Sequence, residues 1–317
     1  MAGGRRKKPT RRGRDKGEAP PQPDVEGGIP GRVVAHHGVA VLVRFDDGSE
    51  EQVWLQPKQT AVVGDRVRVA GDRLGVEPAY GVLRRRDPRG RDRTIATNLD
   101  RLGIVIAPEP REPPGYIDRG FVIARAAGIE PFVVLNKIDL DPEGTLGDRL
   151  EEIYGGVAPV LRVSAHGRTG IDAIEALLEG GRLGAFVGPS GVGKSSLLNA
   201  LVPDLELRVG ELNRGSGKGR HTTTTATLHA IPGGGLLVDT AGFKDFLAVD
   251  LEPIAAAAHF PGFEAALETG CRFSDCLHGT EPDCAVLAAL ERGEIEERRH
   301  RAYRQLVDEL ATSDGRS

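Results

Sequence analysis

Gly188-Pro189-Ser190-Gly191-Val192-Gly193-Lys194-Ser195 constrains this chain more than any other stretch. The pattern G-x-x-x-x-G-K-[ST] works where an apolar strand delivers the loop and a helix starts on its last residues, so that backbone amides close round an anion at a helix N-terminus. Leu183–Val187 reads as that strand, and Ser195–Leu201 as the start of that helix. The glycines let N–H groups curl about phosphate oxygens. Lys194 is placed to reach the β- and γ-phosphates and Ser195, followed by Ser196, to ligate Mg²⁺. A second strand, Leu236-Leu237-Val238, runs into Asp239-Thr240-Ala241-Gly242. There Asp239 would meet the Mg²⁺, directly or through water, and the Gly242 N–H would sense a γ-phosphate.

The base is read by a separate motif, Asn136-Lys137-Ile138-Asp139, at the end of the apolar run Pro131–Leu135. A carboxylate such as Asp139 accepts two hydrogen bonds from N1–H and N2–H₂ of guanine. Adenine has no matching donor pair and would leave the acceptor unpaired, which is a strong basis for discrimination. Lys137 lays its stem across the base, Asn136 ties loops together, and Val163-Ser164-Ala165 brings a backbone N–H towards guanine O6. Asn-Lys-x-Asp alone also fits a turn after a strand; beside a phosphate loop it selects GTP over ATP. Here the base-reading pair precedes the phosphate-binding set, the reverse of the usual order. The chain therefore resembles a circularly permuted GTPase. Arg101–Ile106 as a buried strand, Ile117–Ala127 as a helix and the strands above give the βα alternation of a largely parallel sheet with its motifs at strand C-terminal ends.

Many GTPases carry Gln just after D-x-x-G to orient the attacking water; this chain has Phe243. Slow intrinsic turnover is expected, with another group positioning water. His221, just before Thr222–Thr225, is the candidate catalytic residue, since a histidine orients or deprotonates water near neutral pH. The other role open to it is to hold its loop. Thr223 is chosen from the Thr run as the Mg²⁺ ligand, and residues 208–220, with Gly215, Gly217 and Gly219, read as a switch that orders on GTP.

All three cysteines fall in Cys271-x₄-Cys276-x-His278-x₅-Cys284. Three cysteines cannot pair off as disulfides, whereas three thiolates and an imidazole make a closed set typical of structural zinc. Upstream, Gly31–Ala35, Val39–Phe45, Val53–Leu55 and Arg66–Val69, with a turn at Asp46-Asp47-Gly48-Ser49, predict a small OB-like barrel. Trp54 stacks on a base or fills the barrel core, the core being favoured. Residues 84–93 read as a basic linker, and residues 285–310 as one amphipathic helix.

Formal net charge is −4, from 42 basic and 46 acidic residues. Residues 1–16 hold eight of the basic residues against Asp15 alone, so the rest of the chain is clearly acidic. A basic arm on an acidic body suits RNA, or is a solvated tail. Residues 1–28 have the composition of a disordered tail. No apolar run approaches the roughly 18 residues of a membrane span, and Met1–Lys16 lacks the apolar core of a secretory signal, so a cytoplasmic protein is expected.

Together these motifs, with Ala96-Thr97-Asn98-Leu99-Asp100, Gly188–Ser196 and His221-Thr222-Thr223-Thr224, resemble the ribosome small-subunit-dependent GTPase A family over residues 29–310. The resemblance implies an α/β, circularly permuted P-loop GTPase domain (86–252), an N-terminal OB-fold RNA-binding barrel (29–85) and a mostly helical zinc-binding domain (253–317). It implies GTP hydrolysis stimulated by the small ribosomal subunit late in that subunit's maturation. One structural Zn²⁺ on Cys271, Cys276, His278 and Cys284, and Mg²⁺ with GTP, are expected. Expected partners are the small subunit and its rRNA, GTP/GDP and other assembly factors, with no membrane and the chain a monomer. The alternative function is a nucleotide-gated RNA-binding module with incidental hydrolysis. The family usually has Pro where this chain has Ala241, which puts switch flexibility in doubt; the basic tail lies outside the match.

Overall fold

In the computed structural model, residues 25, 27–86, 91–202, 205, 226–239 and 251–314 are described. Five strands come first: β1 (Ile29–His36), β2 (Ala40–Phe45), β3 (Glu50–Trp54), β4 (Arg66–Ala70) and β5 (Arg73–Val76). Their side chains alternate, so Val33, Val41, Val43, Val53, Val67, Val69 and Leu74 share one interior. β1 pairs antiparallel with β2 and β4, β2 with β3, and β4 with β5. β5 comes up against β3, which gives the strand order of the expected barrel. The same alternation overturns the core reading of Trp54. Glu50, Glu51 and Gln52 are exposed and Val53 is buried, and the indole ends 63% exposed on the outer face.

Of the basic linker expected over 84–93, residues 84–86 and 92–93 are instead in strands, while 87–90 lie outside the described residues. β6 (Leu83–Arg86) and β7 (Asp92–Ala96) form an antiparallel pair. Leu83 and Ala96 anchor it in the main core while Arg84 and Arg93 stay exposed. Arginine content hid a strand pair whose apolar anchors lie at its ends.

The chain then alternates: β8 (Arg101–Ile106), α1 (Tyr116–Ala126), β9 (Glu130–Leu135), α2 (Thr145–Tyr154), β10 (Val160–Arg162), α3 (Ile171–Leu178), β11 (Leu183–Val187), α4 (Lys194–Leu201), β12 (Thr227–Ala230) and β13 (Leu236–Asp239). The order β10-β9-β8-β11-β13 is parallel; β12 is antiparallel to β13 and joins it to β1 at Ala35–Thr227. With a period of two, Leu102, Ile104 and Ile106 meet Phe121 on one face. Val105, Phe132, Val134 and Phe186 meet Leu197 and Leu201 on the other. Each fully buried large side chain is worth roughly 1.5–3 kcal/mol, which is why uninterrupted apolar runs form the central strands. Gly103 is needed between two rings: a Cβ there would stand 2.6 Å from Phe186 and 2.8 Å from Phe132. Gly103→Val is expected to cost about 1–3 kcal/mol or more by overpacking, read as a lower urea midpoint at unchanged m-value.

Ala96-Thr97-Asn98-Leu99-Asp100 latches the barrel to this sheet. Thr97 Oγ1 donates to Asp65 Oδ1 (2.5 Å), Asn98 Nδ2 to the Gly64 carbonyl (3.0 Å) and the Thr97 N–H to the Val63 carbonyl (3.1 Å). Gly64, at φ +95°, passes so close that a Cβ would lie 2.2 Å from the Thr97 oxygen.

The C-terminal part holds α5 (Ala256–His259), α6 (Glu264–Thr269), α7 (Ala285–Glu291) and α8 (Glu297–Asp314) around Phe260, Phe263 and Tyr303. The single helix expected over 285–310 is two. Gly293, at φ +76°, closes α7, with its N–H on the Leu290 carbonyl and that of Glu294 on the Ala289 carbonyl. Val122 of α1 joins this core, so the two parts are packed together. At their junction buried Asp118 accepts from the Tyr154 hydroxyl (3.1 Å) and faces Arg299 (3.7 Å). Burial pushes Asp118 above the usual 3.8, with Arg299 opposing. The folded protein thus takes up this proton at a higher pH than the unfolded chain. The contribution from this group rises as pH falls through the raised value and levels off below 3.8. Urea titrations stepped from pH 7.5 down to about 4, just above the unfolded value, should show this acid-side gain in the wild type and its absence in Asp118→Asn.

Candidate nucleotide site and metal centre

Strand C-terminal ends gather the nucleotide motifs. Asn136–Asp139 follows β9, Ser164 and Ala165 follow β10, Gly188–Ser195 follows β11, and Asp239 closes β13. Asn136 is the residue that joins them. Its side chain, 1% exposed, donates from Nδ2 to the Val192 carbonyl (2.9 Å) and accepts at Oδ1 from the Ala165 N–H (3.1 Å). Gly193 (φ +96°) has to be glycine for this, since a Cβ would stand 2.3 Å from that Nδ2. One buried amide therefore ties both parts of the reordered chain. Of the Ser164-Ala165 pair, expected to turn a backbone N–H towards guanine O6, the Ala165 N–H donates to Asn136.

Gly188 lies against the Val105 carbonyl, where a Cβ would come to 2.4 Å. Beyond it Pro189, Ser190 and Gly191 form the outer loop and Val192 is buried. Lys194 Nζ donates to the Gly188 and Pro189 carbonyls, at 2.5 and 3.0 Å, across the mouth of the loop. Lys194, Ser195 and Ser196 form the first turn of α4 and are half-buried. Asp139 is exposed and accepts the Ser164 hydroxyl (2.6 Å), which holds its carboxyl below the usual range against a small burial effect. It is thus an ionised acceptor, as recognition of a ring N–H and an exocyclic amino group together requires. Lys137 sits in the left-handed region (φ +60°) and donates to the Glu109 carbonyl (2.9 Å). Pro110 lies 3.4 Å from the Cβ position of Gly191. The loop after β8 thereby touches both motifs, a contact not foreseen because Pro and Glu between elements give no contact signal.

Asp239, 8% exposed, is pushed up by burial, with His229 opposing. It faces Thr227 across the β12–β13 ladder, and Thr227 Oγ1 lies 2.9 Å from His229 Nε2. His221, Thr223 and Gly242, with the rest of 222–225 and with 240–243, lie outside the described residues.

Cys271, Cys276, His278 and Cys284 converge, with all ligand atoms within 4.8 Å of one another. His278 Nδ1 lies 3.5 Å from the sulfurs of Cys271 and Cys276 and 3.3 Å from that of Cys284; Cys271 and Cys284 are 3.9 Å apart. A tetrahedron with Zn–S of about 2.3 Å and Zn–N of about 2.0–2.1 Å has edges of roughly 3.5–3.8 Å, so the donor set fits such an ion. All three thiols are free, and burial pushes Cys276 up to about 12, an effect a bound dication reverses. The loop is held from outside. Glu281 accepts the N–H groups of Leu277, Gly279 and Thr280. Burial alone would raise Glu281, but these donors hold it at about 2. From α8, Arg304 and His300 bond the carbonyls of Leu277 (2.8 Å) and His278 (2.7 Å). Neither anchor was read from the sequence, where a carboxylate within a loop and polar residues on a distant helix carry no pairing signal.

The RsgA GTPase family model matches residues 76–248. The chain belongs to the RsgA GTPase family. It is 42% identical over 294 residues, 88% of this chain and 85% of the relative, to the small ribosomal subunit biogenesis GTPase RsgA of Pseudomonas fluorescens (strain Pf-5). The corresponding protein of Chromohalobacter salexigens is 43% identical over 297 residues, covering 89% and 86%. Among solved structures, YjeQ from Thermotoga maritima superposes with TM-score 0.74 at 33% identity, covering 89% of this chain and 98% of that one. YloQ, a circularly permuted GTPase, gives 0.69 at 25%, covering 90% and 96%. The protein is thus a GTPase with the permuted order, and family membership implies Mg²⁺ with GTP. Its Cys₃His set is a candidate metal centre, and among the described residues no helix is long and apolar enough to cross a membrane.

Proposed function

We propose that this GTPase binds the small ribosomal subunit and acts late in its maturation, hydrolysing GTP with stimulation by the subunit. The observation that carries this reading is the Asn136 bridge, which unites a guanine-type motif and a phosphate loop in one cleft. The relatives' name, small ribosomal subunit biogenesis GTPase, supplies the object of the cycle. Asp139 and Lys137 read guanine with Ser164 and Ala165 beneath. Gly188–Ser196 wraps the phosphates, and Ser195, Thr223 and Asp239 serve Mg²⁺. Gly242 senses the γ-phosphate and His221 positions water. Zinc is the metal of Cys271, Cys276, His278 and Cys284, where its role is structural because four protein ligands leave no open position. Residues 29–85, 86–252 and 253–317 act as barrel, GTPase domain and metal domain, with the barrel and the basic tail contacting rRNA through phosphate attraction. The protein works in the cytoplasm as a monomer beside other assembly factors.

GTP turnover with and without purified small subunits tests the reading. Stimulation by an order of magnitude or more is expected, since docking must complete the water-positioning geometry. Unchanged turnover, with sedimentation on the subunit retained in a non-hydrolysable GTP analogue, would instead favour an RNA-binding module with incidental hydrolysis.

A further inference from the structure

Two adjoining cavities of about 230 and 470 Å³ lie between α1, α2 and α8 and share Ile117, Tyr154, Glu112 and Arg298, so they form one open cleft. Its floor is apolar: Ile117 and Leu150 are buried and Leu146 and Ile153 partly so. Its rim is basic. Arg111, on the loop after β8, and Arg149, on α2, are exposed and have no ion-pair partner among the described residues, whereas Arg298 is paired to Glu296. Of the acidic groups in the lining, Asp141 is engaged in accepting the Leu146 and Gly147 N–H groups, Asp118 faces Tyr154 and Arg299, and Glu112 is half-buried next to Arg111, leaving two exposed arginines against one carboxylate.

We propose that this cleft docks a short, acidic and partly apolar segment of a partner protein. Its apolar side chains cover Leu146 and Ile153, and its carboxylates engage Arg111 and Arg149. An unpaired guanidinium offers bidentate donors to a carboxylate, and two such groups in the lining of a cleft with an apolar floor select a ligand with both features. Two observations disfavour RNA as the occupant. A phosphate backbone leaves the apolar floor uncovered, and the two aromatic rings in the lining, Tyr116 and Tyr154, are both buried, Tyr154 stacked on Phe121, so they offer no face to a base. The cleft is separate from the nucleotide site, yet one wall is shared. The loop carrying Arg111 also carries Glu109, which accepts from Lys137, and Pro110, which lies against Gly191.

The test uses the full chain and fluorescence polarisation of labelled decapeptides. One alternates Glu with Leu, one Glu with Ser and one Lys with Leu, and a single-stranded RNA decamer serves as competitor. The Glu/Leu peptide is expected to bind, and the Arg111→Glu/Arg149→Glu double variant to weaken it about tenfold or more, because two charge-assisted contacts become repulsions. Thr145→Trp, which obstructs the cleft without changing charge, should weaken it comparably. These are exposed positions, and an unchanged melting transition controls for folding. The proposal is overturned if Glu/Ser binds as well as Glu/Leu, if neither variant affects binding, if the RNA displaces the peptide through the same arginines, or if no peptide binds.

Discussion

Cys284→Ser is expected to abolish metal binding and unfold the C-terminal part, removing its contribution from the melting curve. The local elements are too short to stand alone: α5, α6 and α7 span four, six and seven residues, while isolated helices below about 12–15 residues are marginal in water. Their order depends on a core around Phe260, Phe263 and Tyr303 that includes two of the cysteines. A structural zinc contributes an apparent 10–16 kcal/mol or so near neutral pH, more than the roughly 5–15 kcal/mol by which whole proteins are stable. Metal content by mass spectrometry and thermal unfolding by circular dichroism check this together. A full equivalent of metal on Cys284→Ser, or a wild-type protein stripped by chelator that melts unchanged, would refute it.

Two substitutions in the guanine motif should separate fold from recognition. Asp139 is exposed and its side-chain hydrogen-bond partner among the described residues is Ser164, so Asp139→Ala should leave the melting temperature within a few degrees. It should still weaken GDP by about a hundredfold or more, since hydrogen bonds to a charged group are worth about 1.5–3 kcal/mol each and two are lost. Asn136→Ala should lower both affinity and stability. It strands the Val192 carbonyl and the Ala165 N–H, at about 1–3 kcal/mol for each group left buried and unpaired. Calorimetric GDP titration and thermal melts of both variants give the comparison. Wild-type GDP affinity in either variant would contradict the assignment.

What could be read ahead of the structure follows from burial. β8 and β11 were bounded to the residue because each is an uninterrupted apolar run buried on both faces. The Cys/His set was legible because its chemistry admits few alternatives. Failures occurred where composition and geometry part company. Arg84 and Arg93 hid β6 and β7, since a strand needs only backbone pairing and a buried anchor such as Leu83. Trp54 was assigned by residue type when alternation with Val53 decided its side. Gly293 was a stop signal inside an apparently continuous helical pattern and was passed over. The contacts of Thr97 with Asp65, Glu109 with Lys137 and Glu281 with its loop join residues whose partners no local pattern names.

The barrel is held to the nucleotide sheet at two separate places, the Ala35–Thr227 ladder pairing and the Thr97–Asp65 latch. Between them Val34 and Val63 of the barrel pack into the main core, so apolar contact joins the two attachments. The β1–β12 pairing thus reaches the strand next to the one that ends in Asp239. The orientation of the barrel is thereby fixed, rung by rung of backbone hydrogen bonds, relative to the strand that closes on the candidate nucleotide site.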